Sequence, residues 1–258
     1  FLATLVSSQL DMDRLDYLAR DSYFTGVHEG IVSSERIIKT LTVAAGRLAI
    51  EAKGLHSVEN FIVARLLMYW QVYLHKTALA ADALLTGALH RAKALVLAGE
   101  RLPMPKSLEY LLRLPELPGD TALTDETVAH FAALDDHDVF CAIKGWQAAP
   151  DPVLADLAQR LVERRLLKLR YRPAPVAEAE VAQARAALLR RTGYPAEAAG
   201  YFVFAGQAVH TAFLRHGEAP MPILHKDGSL QSLLEASDLL RGPALTQDSA
   251  KPYFCTPD

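Results

Sequence analysis

Cysteine is nearly absent. Only Cys141 and Cys255 occur in 258 residues, and their spacing matches no metal-ligand pattern. A disulfide framework is therefore not expected, and a reducing cytoplasm is the natural compartment. Excess charge is also missing: 27 Lys and Arg against 30 Asp and Glu leave a formal net charge of -3. Nothing in the whole chain pulls it toward nucleic acid or a membrane surface, so any anion site must be a local cluster of Arg and Lys. Long apolar runs are lacking too. The most apolar stretch, residues 61–73, contains Arg65 and Gln71 and falls short of the ~20 apolar residues that a membrane span needs. The first six residues are too short, and lack the basic flank, for a signal peptide. Starting at Phe1 rather than Met, the sequence reads as if it begins inside a longer protein. There is no internal repeat, and no low-complexity segment beyond enrichment in alanine.

What is present is a composition that is 51% hydrophobic over 258 residues, enough to fill a sizeable core. The most informative stretch is residues 7–26, which hold four carboxylates, two arginines and two tyrosines. At about 100° per residue, a helix there puts Asp13, Tyr17, Arg20 and Phe24 on one side, with Arg14 and Asp21 on its flank. Met12, Leu15, Leu18 and Ala19 fall on the other side and would face a core. A charged face at helical spacing is ordinarily solvated and laced with salt bridges. The tyrosines among these acids argue for something more.

Further along, Gly26 suits a helix C-cap and Ser33-Ser34 the start of a second short helix. Residues 41–45 and 48–51, about Gly46-Arg47, read as a β-hairpin. Ser57 is a plausible N-cap for a proline-free helix from Val58 to about Gly99. Its first half carries Arg65, Tyr69, Tyr73 and Lys76 at i, i+4, i+8 and i+11, one polar and aromatic stripe. Prolines 103, 105, 115 and 118 make residues 102–120 a connector around a short Leu-rich segment. Helices are expected at about 125–133, 138–148, 152–166 and 178–191, with a strand at 167–172. Short apolar runs at 201–204 and 221–224, a turn at Lys226-Asp227-Gly228 and a last strand at 252–255 make the C-terminal third α+β.

The run Ser7-Ser8-Gln9-Leu10-Asp11-Met12-Asp13-Arg14-Leu15-Asp16-Tyr17-Leu18-Ala19-Arg20-Asp21-Ser22-Tyr23-Phe24-Thr25-Gly26-Val27 resembles the last metal-binding motif of HD-superfamily phosphohydrolases, in the branch related to deoxynucleoside triphosphate triphosphohydrolases. Residues 60–77, with Ala64-Arg65, Met68-Tyr69-Trp70-Gln71 and Tyr73-Leu74-His75-Lys76-Thr77, look like that family's next long helix. Residues 134–139, 226–229 and 235–238 resemble its later segments. The resemblance implies a mainly α fold: the C-terminal part of an HD-type helical core over 1–118, a helical extension over 119–172 and a smaller α+β region over 173–258.

By position, the resemblance makes Asp13 a ligand of a divalent metal ion, with Mg, Mn, Fe, Ni and Zn not distinguished. It places Arg14 and Arg65 on the phosphates, Tyr17 and Asp21 at the deoxyribose and Tyr73 along the sugar or base. His75 and Lys76 become a regulatory-nucleotide or interface pair in a homo-oligomer. The implied reaction is metal-dependent hydrolysis of deoxynucleoside triphosphates to deoxynucleoside and triphosphate. Arg suits the phosphates because its forked donors match their oxygens. The family's upstream His and His-Asp ligands would lie before Phe1, and His137-Asp138 aligns with a downstream segment instead. A non-catalytic nucleotide-binding or oligomerisation module, or a hydrolase of another nucleotide, is the alternative.

Other residues have plainer readings. Asp11 and Asp16 serve the helix start or pair with Arg14 and Arg20. Trp70 is a core aromatic pointing away from the Arg65 stripe. His28, His56, His90, His130, His210, His216 and His225 share no ligand spacing and are expected at the surface or in caps. The basic run from Arg160 to Arg172 is expected to be a solvated helix end and strand.

Overall fold

The computed structural model describes residues 2–115, 123–213 and 221–257, and the fold is mainly α. In chain order the elements are α1 (Leu2–Val6), α2 (Met12–Thr25), α3 (Ser34–Thr40), β1 (Leu41–Ala44), β2 (Arg47–Glu51), α4 (Leu55–Met68) and α5 (Lys76–Leu97). Then come α6 (Lys106–Arg113), α7 (Asp125–Ala133), α8 (Asp136–Trp146), α9 (Pro152–Val162), β3 (Lys168–Tyr171), α10 (Glu178–Thr192), α11 (Ala199–Phe202) and β4 (Phe204–His210). The last are β5 (Ile223–Leu224), β6 (Leu230–Gln231), α12 (Leu233–Ala236), α13 (Pro243–Thr246) and β7 (Ser249–Thr256).

Local chemistry explains several boundaries. The Asp11 carboxylate accepts the Arg14 backbone N–H at 2.8 Å and so starts α2, as a short acidic side chain does at an N-cap. Gly26 ends it in the left-handed region at φ 71°, which glycine enters without a Cβ penalty. The β1–β2 hairpin turns on Ala45 and Gly46, both with positive φ, the backbone sign required at both central positions of a type I′ turn.

The expected helix from Val58 to Gly99 is corrected in two respects. It starts earlier, at Leu55 after Gly54, so Ser57 lies inside α4 and caps nothing. It is also interrupted. Residues 69–73 form a π turn, closed by the Leu74 N–H donating to the Tyr69 carbonyl at 2.7 Å, before α5 begins at Lys76. No Pro or Gly marks this break, and π turns inside helices recur at functional sites. Ala19, expected in the core, is exposed, whereas Leu15 and Leu18 are buried. Asp11–Arg14 and Asp16–Arg20 form the ion pairs expected of them.

The chain divides into two compact units, Phe1–His75 with Gln207–Lys251, and Lys76–Gly206 with Pro252–Asp258. Of the boundaries expected at 118/119 and 172/173, the first lies outside the described residues and the second falls within the second unit.

In the first unit, Leu15, Leu18, Ile37, Ile50, Phe61, Ile62, Met68 and Ile223 form one buried cluster. Four strands run in the order β1–β2–β5–β6. The central pair is parallel, with Ile50 opposite Ile223, and returns strand residues far along the chain to the hairpin. The carboxylate of Glu59 on α4 accepts from the Ser237 hydroxyl at 2.5 Å and meets His56 Nδ1 at 2.6 Å. Burial raises the Glu59 pKa, but those hydrogen bonds outweigh it and hold the group below the usual glutamate value.

In the second unit, small residues Ala80, Ala88 and Ala92 with Leu84 line the buried side of α5. They pack in one cluster with Leu154, Leu157 and Ala158 of α9 and with Trp146. Arg91 reaches from α5 to Asp151 through two bonds of 3.1 and 2.6 Å, and Asp151 also caps α9 through the Leu154 N–H. β3 pairs antiparallel with β7, Lys168 opposite Thr256, in a sheet ordered β3–β7–β4. Three residues of the basic run are paired: Arg160 with Asp156, Arg165 with Glu163 and Arg172 with Glu180. Among the described residues no helix is long and apolar enough to cross a membrane.

Candidate phosphate and sugar site

The first unit gathers five of the residues singled out in the sequence. α2 presents Arg14, Tyr17 and Asp21 on one flank, and α4 with its π turn presents Arg65 and Tyr73, with Tyr69 between them. The Tyr69 and Tyr73 rings meet edge to face at 5.3 Å, and Tyr73 meets Tyr17 in the same way at 6.1 Å. Arg14 Nη1 donates to the Tyr17 hydroxyl at 3.4 Å. A continuous path thus runs from Arg65 through three tyrosines to Arg14.

Tyr73 donates its hydroxyl to Asp21 Oδ2 at 2.5 Å. Burial first, and the adjoining Asp21 carboxylate second, push the Tyr73 pKa up, so this phenol stays a protonated donor. Asp21 is half-buried, and its second oxygen makes no hydrogen bond among the described residues.

The two arginines differ in their partners. Arg14 is paired with a carboxylate: its Nε lies 3.1 Å from Asp11 Oδ2 and donates to the Ser8 carbonyl at 2.9 Å. Arg65 is only 5% exposed and has no carboxylate partner among the described residues. Its Nη1 donates to Gln9 Oε1 at 2.9 Å, and its Nε is buried with no hydrogen-bond partner among the described residues. The Phe213 ring lies 3.9 Å from the guanidinium carbon, and the Tyr69 ring 5.9 Å from it. Burial, then repulsion from Arg14, hold Arg65 below the usual arginine pKa. Charges this buried are ordinarily matched by an opposite charge.

Arg65, Gln9, Tyr69, Val209, Thr211, Ala212 and Phe213 line an open cavity of about 420 Å³. That volume lies within the ~300–1,000 Å³ typical of small-molecule sites.

His210 stands behind this wall. It is 1% exposed, and neither ring nitrogen has a hydrogen-bond partner among the described residues. It is corrected from the surface to the interior: β4 alternates, turning Ala208 and His210 inward. Phe213, Tyr69 and Trp70 surround its ring at 4.5, 5.3 and 6.1 Å, and Lys251 Nζ sits 3.7 Å over the other aromatic, Trp70. Burial, and then the Arg65 charge, lower the His210 pKa despite the pull of Asp248. The expectation for His216 lies outside the described residues.

Gln9, His210 and Phe213 went unrecognised in the sequence as parts of a site. Strand alternation around residue 208 could have flagged His210. Nothing local flags Gln9 or Phe213, because their role depends on a side chain distant in the chain.

The remaining assigned residues lie elsewhere in the elements. Asp13 is exposed in the first turn of α2. His75 and Lys76 are exposed at the end of the π turn and the start of α5. Among the described residues no three His, Cys, Asp or Glu side chains converge on a common point. One carboxylate at Asp13 is too small a donor set to hold a divalent ion, so the residues present do not fit a metal centre by themselves.

Residues 32–100 match the family model of the HD associated region. The matched segment spans α3 through α5 and therefore includes Arg65, Tyr69, Tyr73, His75 and Lys76. A phosphohydrolase from Bacteroides thetaiotaomicron VPI-5482 superimposes with a TM-score of 0.91 at 39% identity, covering 99% of this chain and 63% of that one. Uncharacterized protein YwfO of Bacillus subtilis is 35% identical over 167 residues, 65% of this chain and 36% of YwfO. A hypothetical protein from Aquifex aeolicus shares the fold at a TM-score of 0.63 and 21% identity. This chain thus spans about a third of YwfO and under two thirds of the Bacteroides chain. The chain is thus similar to the HD associated region over residues 32–100 and, over nearly its whole length, to a phosphohydrolase.

Proposed function

We propose that this chain provides the phosphate and sugar contacts of a phosphohydrolase that cleaves deoxynucleoside triphosphates to deoxynucleoside and triphosphate. The observation that carries the reading is Arg65: a buried guanidinium with no carboxylate partner among the described residues, on the wall of a cavity of nucleotide-fragment size. A phosphoryl group supplies the missing negative charge and accepts the forked donors. Arg14, already paired with Asp11, adds field rather than a free charge. Asp21, held by Tyr73 at one oxygen, offers the other to a sugar hydroxyl. Tyr17 and Tyr73 wall that sugar, and crowding at its 2′ position favours deoxyribose.

In this reading a divalent metal would polarise the α-phosphate, with Asp13 as this chain's one contribution. His75 and Lys76, both exposed, would serve contacts between copies or a regulatory nucleotide. Incubation of the complete protein with Mn²⁺ or Mg²⁺ and a deoxynucleoside triphosphate is expected to release inorganic triphosphate. Release of pyrophosphate alone, or of nothing, refutes the reaction. The single carboxylate at Asp13 favours a second reading, a nucleotide-binding module without its own chemistry, which predicts binding of the same nucleotides with no turnover.

A further inference from the structure

We propose that Gln9 and Phe213 are positioning residues that hold Arg65 without neutralising it, so that its full positive charge is kept for a phosphoryl group in the cavity. The inference rests on the phosphate reading of Arg65 and assigns residues which that reading does not.

The two arginines of the site are held by opposite means. Arg14 is fixed by Asp11, a carboxylate that cancels its charge. Arg65 is fixed at Nη1 by the amide oxygen of Gln9 at 2.9 Å. An amide oxygen is a full hydrogen-bond acceptor but carries no net charge. The plane of the guanidinium is supported by Phe213, 3.9 Å away, through the ring quadrupole, again with no net charge. The Phe213 ring is held in turn by edge-to-face contacts with Tyr69 at 5.2 Å and His210 at 4.5 Å.

Every described group in contact with Arg65 is therefore neutral or aromatic, which is unusual for a cation that is 5% exposed. Both Gln9 and Phe213 also line the cavity, so a ligand that meets Arg65 meets a guanidinium already fixed in position and in plane. Fixing a donor before binding reduces the ordering that binding must supply.

Substituting Gln9 by glutamate separates this from a merely structural role. A carboxylate in place of the amide makes a stronger, charge-assisted bond to Arg65. If Gln9 only braced Arg65, Gln9→Glu would bind an anion at least as well as wild type. If Gln9 keeps the charge available, Gln9→Glu binds at least tenfold more weakly while its thermal midpoint is unchanged or higher. The full chain is titrated calorimetrically with inorganic triphosphate as wild type, Arg65→Met, Gln9→Glu, Gln9→Leu, Phe213→Leu and Phe213→Tyr. Gln9→Leu is expected to weaken binding less than Gln9→Glu, and Phe213→Tyr to retain the affinity that Phe213→Leu loses. If wild type takes up no triphosphate, the phosphate reading itself falls, and this inference with it. If wild type binds, Arg65→Met does not, and Gln9→Glu stays within twofold of wild type, the phosphate reading stands and the positioning roles are overturned.

Discussion

Replacing Arg65 by methionine should leave the fold intact and remove the anion site, a combination that few buried charge substitutions produce. Methionine keeps most of the side-chain volume and flexes to fill gaps. Removing the guanidinium relieves a buried cation that no carboxylate among the described residues offsets. It also forfeits one hydrogen bond to Gln9 and the stacking on Phe213, worth about 1 kcal/mol each. These opposing effects nearly cancel, so unfolding stability should change by no more than about 1 kcal/mol. Binding should change far more. A phosphate charge about 4 Å from the guanidinium gains about 4 kcal/mol at an effective dielectric constant near 20. The cavity is open to solvent, which reduces this to about 2–4 kcal/mol, or about 30- to 1,000-fold in affinity. Urea denaturation gives the first quantity and calorimetric titration with inorganic triphosphate the second. Loss of several kcal/mol of stability would show that Arg65 is structural. Unchanged triphosphate affinity would show that it faces no phosphate.

Other expectations follow from single features. His210 has a lowered folded-state pKa against a free value of 6.5, so its contribution to stability is fully present above that value. It falls as pH drops and is gone once pH has passed through the folded-state pKa. The urea midpoint of wild type should therefore drop more between pH 7.5 and 5.5 than that of His210→Phe; parallel drops would mean that the imidazole is not buried neutral. Gly30 leaves no room for a side chain, since a Cβ there would come within 2.8 Å of Ser22 Cβ and 2.9 Å of Met68 Sδ. Gly30→Ala should cost about 1–3 kcal/mol, and a neutral result in thermal denaturation would contradict that packing. Cys141 is exposed, whereas Cys255 is buried with its thiol pushed up to about 12. Alkylation of the native chain at pH 8 should modify Cys141 alone, and rapid labelling of both, read by mass spectrometry, would place Cys255 outside the core.

Local signals carried much of the fold. Asp11 ahead of Arg14, Gly26 after its helix and the glycine of the hairpin turn act within a few residues, so the sequence reveals them. The π turn at residues 69–73 did not show because no proline or glycine produces it. The α4 start escaped because Ser57 resembles a cap, while Gly54 ends the preceding 3₁₀ turn and lets α4 begin two residues before Ser57.

In the site, the i, i+4, i+8 stripe of Arg65, Tyr69 and Tyr73 was legible on one helix, and ring contacts at 5.9 and 5.3 Å run along it. The charge logic of Arg65 was not legible. Gln9 lies 56 residues before it and Phe213 far beyond it, so only the tertiary fold shows that its partners are uncharged. Parallel pairing of β2 with β5 belongs to the same class of long-range information.

The central claim is that the first unit holds a deoxynucleoside triphosphate, with its phosphates at Arg65 and its sugar at Asp21. Calorimetric titration of the full chain with dATP and with ATP, for wild type and Asp21→Ala, tests this most directly. The account requires saturable binding of dATP to wild type, at least tenfold weaker binding of ATP, and loss of that preference in Asp21→Ala. Equal affinity for the two nucleotides in wild type, or a preference unchanged in Asp21→Ala, would contradict it.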